Sequence, residues 1–243
     1  MIRLRRLITR TLREQGGFSL PELLVSMVLF SILAVLIVTA FMSFTRSFND
    51  DRLATRNTNI ASVGMNEMTR VLRAATSVPV VNADDLPAFA YANNEKVIFY
   101  AYIDTNSAAP APVKVQFEVL PSSNTLCPRC LVETRWAAHP KPGYPSYWEF
   151  DSSSASVRTI ARKIVAPVSG ENYMFSYKQI GTDLLPVTMT IPNGGILTAN
   201  LSKIAVVEVT MKVQSDPSQL PDAVIVENQV GLPNLGVSRL GLS

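Results

Sequence analysis

Histidine is almost absent from this chain: His139 is the only one in 243 residues, and there are only two cysteines, Cys127 and Cys130. One histidine cannot build a multi-histidine metal site, and with the Cys-x2-Cys pair it offers only three zinc ligands, so the sequence implies no metal and no other cofactor. There is no glycine-rich phosphate loop, and any Ser–His–acid set would have to rest on that single histidine, so enzymatic activity has no residue support. A thioredoxin-like role for Cys-Pro-Arg-Cys would need a helix start in a βαβ setting, whereas the flanks read as loop and strand. Asp50-Asp51 and Asp84-Asp85 are acid pairs by sequence alone, read as a solvated helix face and the start of a loop.

Excess positive charge is also missing from most of the chain. The net +3 is carried by the N-terminus: Arg3, Arg5, Arg6, Arg10 and Arg13 against Glu14 give the first 17 residues +4. The remaining 17 cations and 18 anions leave −1. Clustered cations are what phosphate contacts need, so a nucleic-acid partner is disfavoured, with Arg158, Arg162 and Lys163 the one small patch that could revive it.

No charged residue occurs from Leu23 to Thr45, and no proline between Pro21 and Pro79. About 20 apolar-dominated positions suffice to cross a hydrocarbon core as a helix. Arginines ahead of the run stay in the cytoplasm, which predicts a single-pass protein of the inner membrane with its leader inside and its head outside. Cys127 and Cys130 then sit in an oxidising space, where a local disulfide is placed ahead of free thiols. A cleavable secretory signal fits the basic start but not the run, which exceeds the usual ~7–15 apolar residues and lacks a small-x-small cleavage site. An ordinary signal anchor leaves Gly16-Gly17-Phe18 unexplained. Glu22 is the other unexplained residue: a carboxylate in a bilayer costs a few kcal/mol unless it finds a partner, which exceeds the ~0.3–1 kcal/mol that a helix dipole returns at an exposed site.

The run Gly17, Phe18, Ser19, Leu20, Pro21, Glu22 resembles the type IV pilin superfamily, as a prepilin with a class III-type leader. The resemblance implies cleavage by the prepilin peptidase between Gly17 and Phe18, and methylation of the new Phe18 amine. It also implies filament assembly through Glu22, paired with the Phe18-type amine of a neighbouring helix displaced along the axis. Pro21 departs from the aliphatic residue often found there, but in the first turn it forfeits no hydrogen bond. Ser26, Ser31, Thr39 and Ser43 can bond back to helix carbonyls or across helices.

Beyond Thr45 the helical pattern continues, with Phe48, Leu53, Ile60, Gly64, Met68, Val71, Leu72 and Ala75 forming one apolar stripe. Met65 and Met68 read as core, and Arg70 and Arg73 as a solvated or C-terminal-dipole pair. From Pro79 the period changes toward two. Strands are expected at Val97–Ile103, Val113–Leu120, Leu131–Trp136, Arg158–Val165, Tyr173–Ile180, Pro186–Ile191 and Ile204–Val213, with a short one at Ala223–Val226 before a loose end. Asn193-Gly194-Gly195 reads as a turn, and Ala137–Ser156 as a long aromatic-bearing loop.

The expected fold is therefore α+β: a long N-terminal helix, membrane-spanning in its first half, on an antiparallel β-sheet head. Its parts are a basic leader (1–17), an apolar transmembrane or filament-core helix (18–45), an amphipathic continuation (46–77) and a β-rich extracytoplasmic head (78–243). The element order and the Met68–Ala75 helix end also resemble the PilW and pseudopilin-J type of minor pilin. These likenesses imply a structural minor subunit of a type IV pilus, with a pseudopilin of type II secretion as one alternative. A second is a surface- or ligand-binding module using Tyr144, Tyr147 and Trp148. The implied partners are other pilins through the helix, the prepilin peptidase, an inner-membrane assembly platform, and lipid before assembly.

Overall fold

The computed structural model describes residues 18–79, 81, 85–103, 110–181, 185–215 and 223–235. The leader with Gly17, and Asp84, lie outside them. Two compact units divide the chain, Met1–Asp51 and Arg52–Ser243. Helix α1, Leu20–Arg73, contributes residues to both.

In the first unit α1 is apolar on every side, and its large side chains from Leu20 to Phe48 are exposed. The Ser19 carbonyl accepts from the amides of Glu22 and Leu23 at 3.0 and 3.1 Å, so the first turn closes around Pro21. Four hydroxyls along the run are spent locally: Ser26 donates to the Leu23 carbonyl, Ser31 to Met27, Thr39 to Leu36 and Thr45 to Phe41, each at 2.8–2.9 Å. A polar side chain satisfied in this way adds little cost in lipid.

In the second unit the buried face of α1 is Asn57, Ala61, Gly64, Met65, Met68, Thr69, Val71 and Leu72. It shares Gly64, Met68, Val71 and Leu72 with the expected stripe, whereas Phe48 is exposed, Leu53 and Ile60 are half-buried, and Ala75 is buried just past the helix end. Gly64 marks the closest approach, since a Cβ there would stand 3.0 Å from Met211 Cε and 3.2 Å from Ala161 Cβ. The helix ends at Arg73 instead of near Ser77. Ala74 and Ala75 donate to carbonyls three residues back, and the Thr76 amide already donates to the Tyr100 carbonyl.

The expected α+β architecture is present, but its strands form two antiparallel sheets. The first is a meander, β1 (Phe89–Ala92), β2 (Lys96–Ala101), β3 (Val113–Val119), β4 (Leu131–Lys141) and β5 (Tyr144–Ala161), adjacent in that order. The second comprises β6 (Phe175–Ile180), β7 (Pro186–Thr188), β8 (Ile204–Val213) and β9 (Val224–Gly231), ordered β7-β6-β8-β9. A one-turn helix, α2 (Thr198–Leu201), precedes β8. Alternation puts Val115, Phe117 and Val119 of β3, and Val207, Val209, Met211 and Val213 of β8, in the core. Phe89, Phe99 and Phe117 form a row with ring centroids 5.8–6.0 Å apart. Tyr177 of β6 meets Phe89 and donates its hydroxyl to the Asn93 carbonyl at 2.9 Å, joining the second sheet to the first.

Two further expectations are corrected, and one strand is added. Ala137–Ser156 is not a loop but most of a long β4–β5 hairpin, turning at Gly143 with φ 83°. The last β3–β4 pair is Val113–Ala137, so among the described residues β4 beyond it has no partner on that edge, the setting in which strand prolines such as Pro140 occur. The strand expected at Ala223–Val226 runs on to Gly231 along β8, so 227–231 are not a loose end, while 236–243 lie outside the described residues. Phe89–Ala92 is a strand the sequence did not announce.

Candidate functional site

The N-terminal site is built by the first turns of α1. Phe18 is 80 % exposed, and Glu22 lies in the first turn with no ion pair among the described residues. Around it the helix shows an uninterrupted apolar surface from Leu20 onward, long enough to cross a membrane. A helix apolar all round is stable when lipid or other helices surround it. The geometry therefore presents an unpaired carboxylate one turn from the residue that cleavage after Gly17 would make the N-terminus.

Residues 12–38 match the prokaryotic N-terminal methylation motif. The chain carries a type IV pilin-like leader. A comparison with curated proteins finds no match to the chain. The motif covers the end of the leader and the first part of α1, and with the long apolar helix it is consistent with membrane anchoring. It ends well before the head.

In the head, the sequence reading missed the most concentrated chemistry. Glu133 of β4 is fully buried, and its carboxylate takes hydrogen bonds from Arg135, at 2.7 Å, and from Arg158. Arg158 also bonds Glu67 of α1, which pairs with Arg70 at 2.7 Å and lies 3.4 Å from Arg135. The hydrogen bonds from Arg70, reinforced by Arg158 against the opposing effect of burial, hold the Glu67 carboxyl down at about 2. Two acids and three arginines thus fasten α1 to the first sheet. The signal was available in part: alternation from buried Leu131 puts Glu133 on the core side, where an acid requires cations. Arg158 is consequently not free to form the basic patch suggested with Arg162 and Lys163.

Cys127 and Cys130 are joined by a disulfide with Cα atoms 5.6 Å apart. His139 lies 3.9 Å from Glu149, on the β4–β5 hairpin, and among the described residues no three His, Cys, Asp or Glu side chains are grouped to hold a metal ion. Tyr144 and Tyr147 contact edge to face at 6.1 Å near the hairpin turn, while Phe150 packs on Tyr100 at 5.0 Å.

Proposed function

We propose that this chain is a non-catalytic structural subunit of a type IV pilin-like filament. The prepilin peptidase cuts it between Gly17 and Phe18, the Phe18 amine is methylated, and the protein waits in the inner membrane, head outside, until an assembly platform draws it into the filament. The observation that carries this reading is the methylation motif over residues 12–38, continuous with an apolar helix that no part of the described chain covers. In the assembled state Glu22 pairs with the N-terminal amine of a neighbouring subunit, which offsets the cost of holding a carboxylate among apolar helices.

The size of the head favours a minor pilin of the PilW or pseudopilin-J type over a major one; a pseudopilin of type II secretion uses the same helix. Deleting the gene separates these two, since one loss removes surface fibres and the other blocks exoprotein release. The projecting β4–β5 hairpin with Tyr144 and Tyr147 favours an added contact role at a filament tip.

The test is the N-terminal residue and mass of the membrane-extracted protein. A start at Phe18, one methylene heavier than the unmodified chain, is expected; an intact Met1 overturns the reading. Glu22→Ala is expected to leave cleavage intact and abolish co-assembly, and unchanged assembly would end the carboxylate–amine pairing.

A further inference from the structure

Only two non-glycine residues among those described have a left-handed backbone: Arg129, with φ 51°, and Lys163, with φ 63°. They meet in space. Arg129 lies between the joined Cys127 and Cys130, and its carbonyl accepts the Ile164 amide at 3.0 Å, one residue after Lys163. The Arg129 guanidinium reaches Glu95 in the β1–β2 turn at 2.5 Å, and its buried Nε has no partner. A side chain and backbone held at a cost on both counts need something to hold them.

What holds them is local. Asn124 Oδ1 accepts the amides of Leu126 and Cys127, at 3.0 and 2.9 Å, and the Cys130 carbonyl accepts the Leu120 amide at 2.8 Å. Both ends of the four-residue loop are thereby fixed, and the disulfide closes it over Arg129. On the far side, Ile164 and Val165 belong to the segment that crosses from the first sheet to the second. Val165 is fastened independently, its amide donating to the Lys212 carbonyl of β8 at 2.9 Å. Arg129, Ile164, Val165, Pro167 and Lys212 line a cavity of about 210 Å³ at this crossing.

We propose that the Cys127–Cys130 disulfide is a redox-sensitive latch between the β3–β4 connection and the crossover. Oxidised, it keeps Arg129 left-handed, so that one residue grips both Ile164 and Glu95. Reduced, Arg129 returns to an ordinary conformation, lets go of the Ile164 amide, and opens the Arg129 wall of the cavity while Val165 stays on β8.

The chemistry is exchange with a dithiol. Cys127 is half-buried and Cys130 buried, so a dithiol thiolate attacks Cys127 Sγ. The Cys127–Cys130 bond breaks, and Cys130 leaves as a thiolate that takes up a proton. The second thiol of the reductant then displaces Cys127 from the mixed disulfide. The reductant ends as a disulfide, having given two electrons, and the protein ends with two thiols.

The test is amide hydrogen exchange on the full chain in detergent micelles, with and without dithiothreitol. Reduction is expected to speed exchange at Ile164 about tenfold or more, and to leave Val165 and the β8 amides of Val207 and Val209 unchanged. The double variant Cys127→Ser/Cys130→Ser is expected to show fast Ile164 exchange without reductant. Arg129→Gly, which adopts the left-handed conformation without strain, is expected to keep Ile164 protected in both redox states. Equal Ile164 exchange in oxidised and reduced wild type overturns the latch. So does loss of protection at Val207 and Val209, which would make the disulfide a support of the whole head, or an Arg129→Gly variant as redox-sensitive as wild type.

Discussion

Glu133 and Arg158 face each other across the β4–β5 ladder, the acid fully buried and the cation 49 % exposed at its side chain. The same guanidinium spans to Glu67 on α1, so one arginine satisfies a buried strand acid and a helix acid at once.

Removing that arginine leaves Glu133 buried with Arg135 alone. Arg158→Met is expected to destabilise the head by ~2–4 kcal/mol, because a buried charge without its partner costs more than the pair contributes. Glu133→Leu combined with Arg158→Met is expected to recover most of the loss. Urea unfolding followed by tryptophan fluorescence measures both, and equal stability of Arg158→Met and wild type would contradict the role of the pair.

Glu67 gives the cluster its pH dependence. Its carboxyl titrates at about 2 in the folded chain against 4.5 for the free group, so its stabilisation is complete above pH 4.5 and lost as pH falls toward 2. The total is on the order of 2–3 kcal/mol. Glu67→Gln is expected to lower stability at pH 7 and to flatten the acid limb of a stability profile, whereas an unchanged limb would place the titration elsewhere.

Gly64 sets how close α1 comes to Met211 and Ala161. Gly64→Ala is expected to be nearly neutral, because the flexible end of Met211 can give way and alanine gains about 1 kcal/mol of helix propensity. Gly64→Leu is expected to cost ~2 kcal/mol or more by overpacking. Thermal unfolding of the two variants side by side distinguishes close packing from mere tolerance.

Ser31 and Thr39 already donate within α1. Ser31→Ala and Thr39→Val are therefore expected to leave membrane extraction and co-assembly unchanged. Loss of assembly in either variant would show that these hydroxyls bond across helices instead.

Much of this was legible in the sequence, for local reasons. Val113–Val119 and Val207–Val213 alternate strictly because one face of each is buried, and the Gly17–Glu22 motif is contiguous. The hairpin beyond Ala137 was hidden because the side chains around its turn are exposed and prolines interrupt it, so no period marks it as strand. The distal half of β9 was hidden by its polar run Glu227-Asn228-Gln229, although Asn228 donates to Thr69 of α1 at 2.9 Å. For Glu133, alternation predicts burial, but only the register of a strand 25 residues later supplies Arg158. The partner proposed for Glu22 is the amine of a second subunit, which the sequence of one chain can imply only through the Gly17–Glu22 motif.

The hydroxyl of Tyr177 on the Asn93 carbonyl, and the contact of Gly64 with a residue from each sheet, give the head a timetable. α1 does not pack on the meander alone: Gly64 approaches Met211 of β8, and Asn228 of β9 donates to Thr69, and these are the last two strands among the described residues. Until residues 204–231 emerge, the face of α1 at Gly64 and Thr69 lacks its β8 and β9 neighbours and the early strands wait as a partial sheet. The head thus closes in a single late step, and a chain cut short before β8 is expected to be cleared by proteases and not to persist as a smaller folded form.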